Sequence, residues 1–232
     1  MELLEVKGVT KVYNDARGTP FQALADVNLQ WRRSECIAIM GESGCGKSTL
    51  ARLMLGLERP TAGCVCIDGM ETTRWTYHRW RGVRPLLQAV FQDSSGTLNP
   101  AWSTARNVTE GLRCLTNLDK KARQARIHTL MAQLGLEEPL LAIPVRQLSG
   151  GQQRRLALVR ALAVAPDFLI LDEVTAGLDL LTTENVVTLL TAYRQTHDCA
   201  LLLITHDEAV ASRLCNRLYV MAHGRIVRSA HK

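Results

Sequence analysis

The sequence contains no run of about 18 consecutive apolar residues, so no segment is expected to cross a membrane as a helix. Met1-Glu-Leu-Leu-Glu5 lacks a basic stretch followed by an apolar one, which argues against a secretory signal. No internal repeat or low-complexity tract is evident. The seven cysteines are odd in number and scattered. Cys64 and Cys66 share one face of a strand but have poor spacing for metal ligands, so free thiols in a reducing compartment are the preferred reading. The net charge of +6 is modest. Its densest source, residues 74–84, interleaves arginines with Trp75, Tyr77 and Trp80. Such a stretch can stack bases and bind phosphates, or it can be a solvated helix whose tryptophans pack on the body of the protein. The second reading is preferred because no nucleic-acid module signature accompanies the segment, so no nucleic-acid partner is expected.

At 232 residues the chain is long enough for a substantial core. Cys36-Ile-Ala-Ile-Met40 reads as a short buried strand. It leads into Gly41-Glu-Ser-Gly-Cys-Gly-Lys-Ser48, a complete phosphate-cradling loop. Gly41, Gly44 and Gly46 let the backbone turn so that successive N–H groups face phosphate oxygens. A helix starting near Gly46 adds its positive N-terminal dipole and stops at Gly56. Lys47 is expected to reach the β- and γ-phosphates, and the Ser48 hydroxyl to ligate Mg²⁺.

Elsewhere strands and helices alternate. The first thirty residues read as an antiparallel, half-exposed sheet, with short runs separated by Gly8 and by residues 14–20. Residues 63–69 read as a further strand, and 86–91 as an apolar strand ending at Gln92. Residues 93–147 are helical in pattern. Ile127, Leu130, Met131 and Leu134 fall on one face, with Gly135 as a C-cap. Phe168-Leu-Ile-Leu171 and Ala200-Leu-Leu-Leu-Ile204 are continuous apolar runs suited to a parallel sheet covered on both sides.

Chemistry is expected at the ends of those strands. Asp172 can hold Mg²⁺, and Glu173 beside it can orient or deprotonate a water. Alone, a strand ending in two solvated acids would look the same. His206 can hydrogen-bond a γ-phosphate, or be an ordinary loop histidine. Gln92 can touch the metal or the attacking water. Ser149-Gly-Gly151 precedes a helix-compatible stretch and offers a second anion site, or Ser149 merely caps that helix. Two anion sites on one chain serve a single nucleotide only if they converge; otherwise the second meets the nucleotide of another copy.

These motifs, in this order, resemble those of the ATP-binding-cassette ATPases, the motor subunits of ABC transporters, over essentially the whole chain. The resemblance implies an α/β fold: a P-loop NTPase, RecA-like core with an antiparallel β-subdomain and an inserted helical subdomain. The expected division is a single domain over 1–232, with 1–92 and 148–232 as core plus β-subdomain and 93–147 as the helical subdomain. By that resemblance Tyr13 stacks on adenine, and Gly41, Glu42, Ser43, Gly44, Cys45, Gly46, Lys47, Ser48 and Thr49 hold the phosphates. Gln92 is the Q-loop residue, and Leu148 to Gln152 are the signature, with Ser149, Gly150, Gly151 and Gln152 closing on a partner's ATP. Asp179 is the D-loop residue. Asp172, Ser48 and Gln92 surround Mg²⁺, while Glu173, His206 and Gln92 serve hydrolysis. Two subunits, identical or paralogous, pair head to tail and drive membrane permease subunits from the cytoplasmic face of the inner membrane, to which they bind peripherally.

Within the family, Gly44-Cys-Gly-Lys-Ser-Thr-Leu-Ala-Arg-Leu-Met-Leu-Gly-Leu57, Val90-Phe-Gln-Asp-Ser94, Leu98-Asn-Pro100 and Arg160-Ala-Leu-Ala-Val-Ala-Pro166 resemble the nickel and di-/oligopeptide importer branch. Val174 stands where the family usually has proline. Ala176-Gly177 replace the more usual Ser-Ala, which is expected to loosen contacts across the dimer. The chain ends at Lys232 without the cysteine-bearing extension common in peptide importers, which favours nickel or a metal chelate. Long heptad coils between the phosphate loop and the signature, expected of a DNA-repair relative, are missing. The alternative function is an ABC-type ATPase acting as a nucleotide-driven dimerisation switch without transport.

Overall fold

The computed structural model describes residues 1–92 and 97–231. The chain runs β1 (Leu3–Asn14), β2 (Pro20–Arg32), β3 (Cys36–Met40), α1 (Lys47–Met54), β4 (Ala62–Ile67), β5 (Met70–Glu71), α2 (Tyr77–Val83) and β6 (Leu87–Val90). It continues through α3 (Thr104–Leu115), α4 (Lys120–Gln133) and two 3₁₀ turns (Glu138–Ala142 and Val145–Gln147) to α5 (Gly150–Ala163), β7 (Phe168–Asp172), α6 (Leu180–His197), β8 (Ala200–Ile204), α7 (Glu208–Leu214), β9 (Arg217–Ala222) and β10 (Arg225–His231). Asp93 and Ser94, quoted above within a family-like segment, and the expected start of the helical stretch at 93 lie outside the described residues, as does Lys232.

Two sheets form. One is antiparallel in the order β2-β1-β4-β5; the other runs β10-β9-β3-β8-β7-β6 and is parallel except for β10. The apolar runs of the central strands divide residue by residue between two cores, as a side-chain period of two requires. Ile37 and Ile39, Phe168 and Ile170, and Leu202 and Ile204 point towards the antiparallel sheet and α1. Cys36 and Ala38, Leu169 and Leu171, and Leu201 and Leu203 point towards the layer containing α5 and α6. A continuous apolar sequence is what a strand buried on both faces needs.

Gly8 does not separate two runs. It lies inside β1, where the pairing with β2 shifts register between Val6 and Val9, so the strand kinks and continues. Likewise, β8 ends at Ile204, two residues before His206. Thr205 Oγ1 accepts from Asp207 N at 3.0 Å, and Asp207 in turn caps α7, so the chain has left the sheet before the histidine.

The arginine-rich segment is a short helix. Trp75 and Trp80 pack on the core, and their faces are taken by Arg79 at 4.8 Å and Arg84 at 5.0 Å. Trp80 also closes over the Gly56 turn. There the N–H groups of Gly56 and Leu57 return to the carbonyls of Leu53 and Arg52, which ends α1.

The sheets are locked together by Trp31 of β2 and Phe168 of β7, both fully buried and meeting edge to face at 4.7 Å between centroids. Phe168→Ala is therefore expected to cost about 3–5 kcal/mol of unfolding free energy, read as a lowered midpoint in urea denaturation. A loss below about 1 kcal/mol would show that the sheets do not depend on this contact.

Candidate functional site

Four neighbouring strands end at one edge of the parallel sheet. β3 delivers the phosphate loop, β8 leads to His206, β7 to Asp172 and Glu173, and β6 to Gln92. Pairing of Val90 with Leu171, and of Leu171 with Leu203, sets those ends level. The result is a cleft of about 480 Å³ that gathers Tyr13, residues 41–44 and 46–49, Gln92, Asp172, Glu173 and His206.

The loop between β3 and α1 is shaped by close backbone approach. Gly46 has φ +107°, and a Cβ there would lie 2.6 Å from the carbonyl oxygen of Ala23. No side chain caps α1, so the N–H groups of its first turn remain available to an anion. Lys47 is nearly buried, and its Nζ donates to the carbonyls of Gly41 and Glu42, both at 2.7 Å. Cys45 faces away from the cleft: it is buried, and its backbone accepts from Gly224 N and donates to Glu42 O.

Asp172 is 2% exposed. Burial pushes its carboxyl above the ordinary range and the neighbouring Glu173 reinforces this, while the Ser48 hydroxyl bond and Lys47 pull the other way. The Ser48 hydroxyl, the Asp172 carboxylate and the Gln92 amide oxygen are hard oxygen donors at one cleft, the donor set a Mg²⁺ ion takes. A buried carboxylate beside the Ser48 hydroxyl and a second acid fits the charge of such an ion.

Glu173 follows at φ +50°, a conformation that costs a side-chain-bearing residue about 1–2 kcal/mol. Its N–H donates to Ile204 O at 2.9 Å, which ties the turn to the end of β8. Its carboxylate accepts from Gln92 Nε2 at 3.3 Å and meets His206 Nδ1 at 3.4 Å. Gln92 thus touches the acid directly. His206 remains mostly exposed at the rim.

Tyr13 is held from behind. Its hydroxyl donates to Glu58, Lys11 Nζ sits 4.9 Å from its ring centroid, and burial followed by the Glu58 bond raises its pKa. Phe21, the cross-strand partner of Tyr13, lines the same cleft and is 57% exposed. Sequence reasoning missed it because residues 14–20 read as a turn; a large apolar residue immediately after that turn was the available signal. Glu58 gave no signal at all.

The 149–152 segment and Asp179 do not line the cleft. Ser149 Oγ accepts from Gln152 N at 3.2 Å, and Gln152 Oε1 accepts from Ser149 N at 2.9 Å, a reciprocal cap on α5. Ser149 and Gly150 are exposed, and Gly151 follows in the first turn. Asp179 caps α6 through Thr182, whose hydrogen bonds hold its carboxyl below the ordinary range. Within one chain the second anion site therefore does not converge on the first. Val174 fills the core on the α5–α6 side, and Ala176 accepts a bond from Arg154.

A family model described as ABC transporter matches residues 24–176. The chain is 38% identical over 233 residues to the nickel import ATP-binding protein NikE of Rhodospirillum rubrum, covering 98% of this chain and 84% of that protein. It is 40% identical over 206 residues to the Pseudomonas putida protein of the same name, covering 89% and 76%. Among solved structures, the dimeric post-hydrolysis state of the ATP-binding cassette MJ0796 bound to ADP and Pi superposes with a TM-score of 0.89 at 31% identity, covering 98% of both chains. The structure of cbiO1 from Clostridium perfringens, part of the ABC transporter complex cbiONQ, superposes with a TM-score of 0.80 at 30% identity, covering 99% and 88%. The fold is that of these cassettes: a RecA-like core with an antiparallel β-subdomain and an inserted helical subdomain. With two thirds of its length inside the family model and nearly all of it aligned to cassette proteins, this chain belongs to the ABC transporter family.

Proposed function

We propose that the chain is the ATP-binding and ATP-hydrolysing subunit of an ABC importer, and that its cargo is nickel or a nickel chelate. The observation that carries the ATPase reading is the meeting of the phosphate loop, Asp172, Glu173, Gln92 and His206 in one cleft. The cargo rests on full-length similarity to nickel import ATP-binding proteins. Peptide import is the weaker alternative, and the reading as a dimerisation switch without transport has no observation in its favour.

Lys47 exchanges its bonds to the Gly41 and Glu42 carbonyls for phosphate oxygens, and the N–H groups of residues 44–49 close around them. Tyr13 stacks on the adenine. Ser48, Asp172 and Gln92 would hold Mg²⁺, which when bound would neutralise charge on the phosphates. Glu173, already in contact with Gln92 and His206, orients the attacking water and takes its proton, and His206 holds the water against the γ-phosphate. A second cassette, paralogous or identical, presents its 149–152 segment to this nucleotide, and Asp179 lies along the joint. Within the expected helical subdomain, residues 97–147 move as a body against the core, and so push on permease subunits at the cytoplasmic face of the inner membrane. Among the described residues no helix is long and apolar enough to cross a membrane, so attachment is peripheral, through the permease.

Glu173→Gln is expected to keep ATP affinity while kcat falls by roughly 10²–10⁴-fold, and to accumulate an ATP-dependent dimer on gel filtration. Wild-type turnover in that variant would remove Glu173 from its role. Cells lacking the chain are expected to lose uptake of radioactive nickel and regain it with the wild type but not the variant; unaffected uptake would discard the cargo.

Asp172 gives a second test. Because its folded pKa lies above the unfolded 3.8, the folded chain binds that proton more tightly. The stability it contributes is full below the unfolded value and is lost as pH rises through the folded one. At neutral pH the ionised group therefore weighs against the nucleotide-free fold. Asp172→Asn is expected to raise Tm by roughly 2–4 °C per kcal/mol relieved, while ATPase activity falls. A lowered Tm in scanning calorimetry without metal would contradict this account of the site.

A further inference from the structure

Two consecutive arginines leave α5 one turn beyond Ser149 in opposite directions. Arg155 Nη1 donates to the carbonyls of Leu134 at 3.0 Å and Gly135 at 3.3 Å. Arg154 Nη1 donates to the carbonyl of Ala176, and its buried Nε has no partner among the described residues. Ala176 sits in the turn that leaves β7, between Glu173 in the cleft and Asp179 at the head of α6. That turn is tight: Ala176 N returns to Glu173 O at 3.1 Å, and Leu178 N to Thr175 O at 3.2 Å. Gly177 has φ +71°, a conformation that a side chain strains. Leu178 lies against Gly151, so near that a Cβ on the glycine would touch its Cδ2 at 3.8 Å. The first turns of α5 therefore grip the Glu173 turn twice, by a charged hydrogen bond and by apolar contact. Bonds to charged donors are about twice as strong as neutral ones, and a half-buried guanidinium that loses its acceptor is costly, so the grip is stiff.

We propose that Arg154 is a positioning residue that ties the segment 149–152, where a partner's nucleotide is sensed, to the backbone of Glu173, where this chain's own nucleotide is cut. The proposal rests on the two-cassette reading above. Closure of α5 on a nucleotide pulls the Ala176 carbonyl, and with it the turn that aims Glu173, so each site reports its occupancy to the other through one side chain. Gly177 is the hinge that lets the carbonyl face α5. The replacement of the usual Ser-Ala by Ala176-Gly177 then serves this bond and is not a loosening.

The test uses the full chain with its transporter partners, or alone if it turns over alone. In Arg154→Ala, kcat is expected to fall at least 10-fold and the Hill coefficient for ATP to drop towards one, while binding of a fluorescent ATP analogue to the isolated cassette stays within twofold of wild type. Arg154→Lys, which keeps one charged donor, is expected to recover part of both losses. Gly177→Ala is expected to reproduce the Arg154→Ala defect, and the double variant to be no worse than either single, as for two members of one coupling. Wild-type kcat and Hill coefficient in Arg154→Ala would overturn the proposal. So would additive defects in the double variant, or equal failure of the Ala and Lys variants with loss of analogue binding. In the Glu173→Gln background, ATP-driven dimers that form at unchanged ATP concentration with and without Arg154→Ala would defeat Arg154 alone. A Glu173→Gln parent that never dimerises would defeat the two-cassette reading and this proposal with it.

Discussion

The site depends on the register of four parallel strands. Val90, Leu171 and Leu203 stand in line across β6, β7 and β8, and Ile39 of β3 stands beside Ile204. Two residues past that line come Gln92 and Glu173, and one further comes His206. A slip of one residue would move a strand end by about 3.3 Å and turn each side chain to the other face. Both faces are buried, so the slip would exchange the contents of two cores: Phe168 and Ile170 would leave Trp31 and α1, while Leu169 and Leu171 would leave α5 and α6. The distance between Glu173 and Gln92 is thus enforced by packing far from either residue. This is why the edge of the cleft can tolerate a strained Glu173 and an exposed Gln92.

Electrostatics finishes what register begins. Asp172 is buried where its charge is disfavoured, and Lys47 is held on two carbonyls in place of a carboxylate. A polyanion accompanied by a divalent cation would satisfy both groups at once, phosphate taking the ammonium and the cation the Asp172 carboxylate. Neither group alone explains the other's arrangement. Glu173, with its positive φ fixed by the bond to Ile204, is aimed across the cleft instead of along the strand, which separates its task from that of Asp172 one residue before it.

Much of this was legible in the chain itself. The strand before the phosphate loop is read correctly because an apolar run bounded by polar residues and followed by spaced glycines has few other folds. The acids at 172 and 173 and the strand at 200–204 are legible for the same reason. Gly8 misleads because a glycine within a long antiparallel pair can make a register shift as readily as a break. Phe21 is hidden by the turn before it. The Arg154 contact is not legible because its acceptor is a backbone carbonyl, which every residue has; only the unusual Gly177 marked the place. Ser149 shows how both readings of a motif can hold. Its side chain caps α5, which is the capping reading, while Ser149 and Gly150 stay exposed, which is what the anion-site reading needs.

That exposure bears on the pairing proposed above. α5 and α6 both begin at the outer surface, capped by Ser149 and Asp179, and neither cap reaches the cleft. Immediately after Asp179, Leu180 and Leu181 are 76% and 77% exposed, an apolar pair that water surrounds in the single chain. Burying each would contribute about 1.5–3 kcal/mol. Two exposed, capped helix N-termini and a pair of exposed leucines make a surface that a partner could cover. A two-fold arrangement would complete it economically, because one self-complementary contact would cover the same surface on both copies. Within each chain, the turn that carries Glu173 lies between the signature helix and this leucine pair, so whatever covers the leucines also bears on the acid.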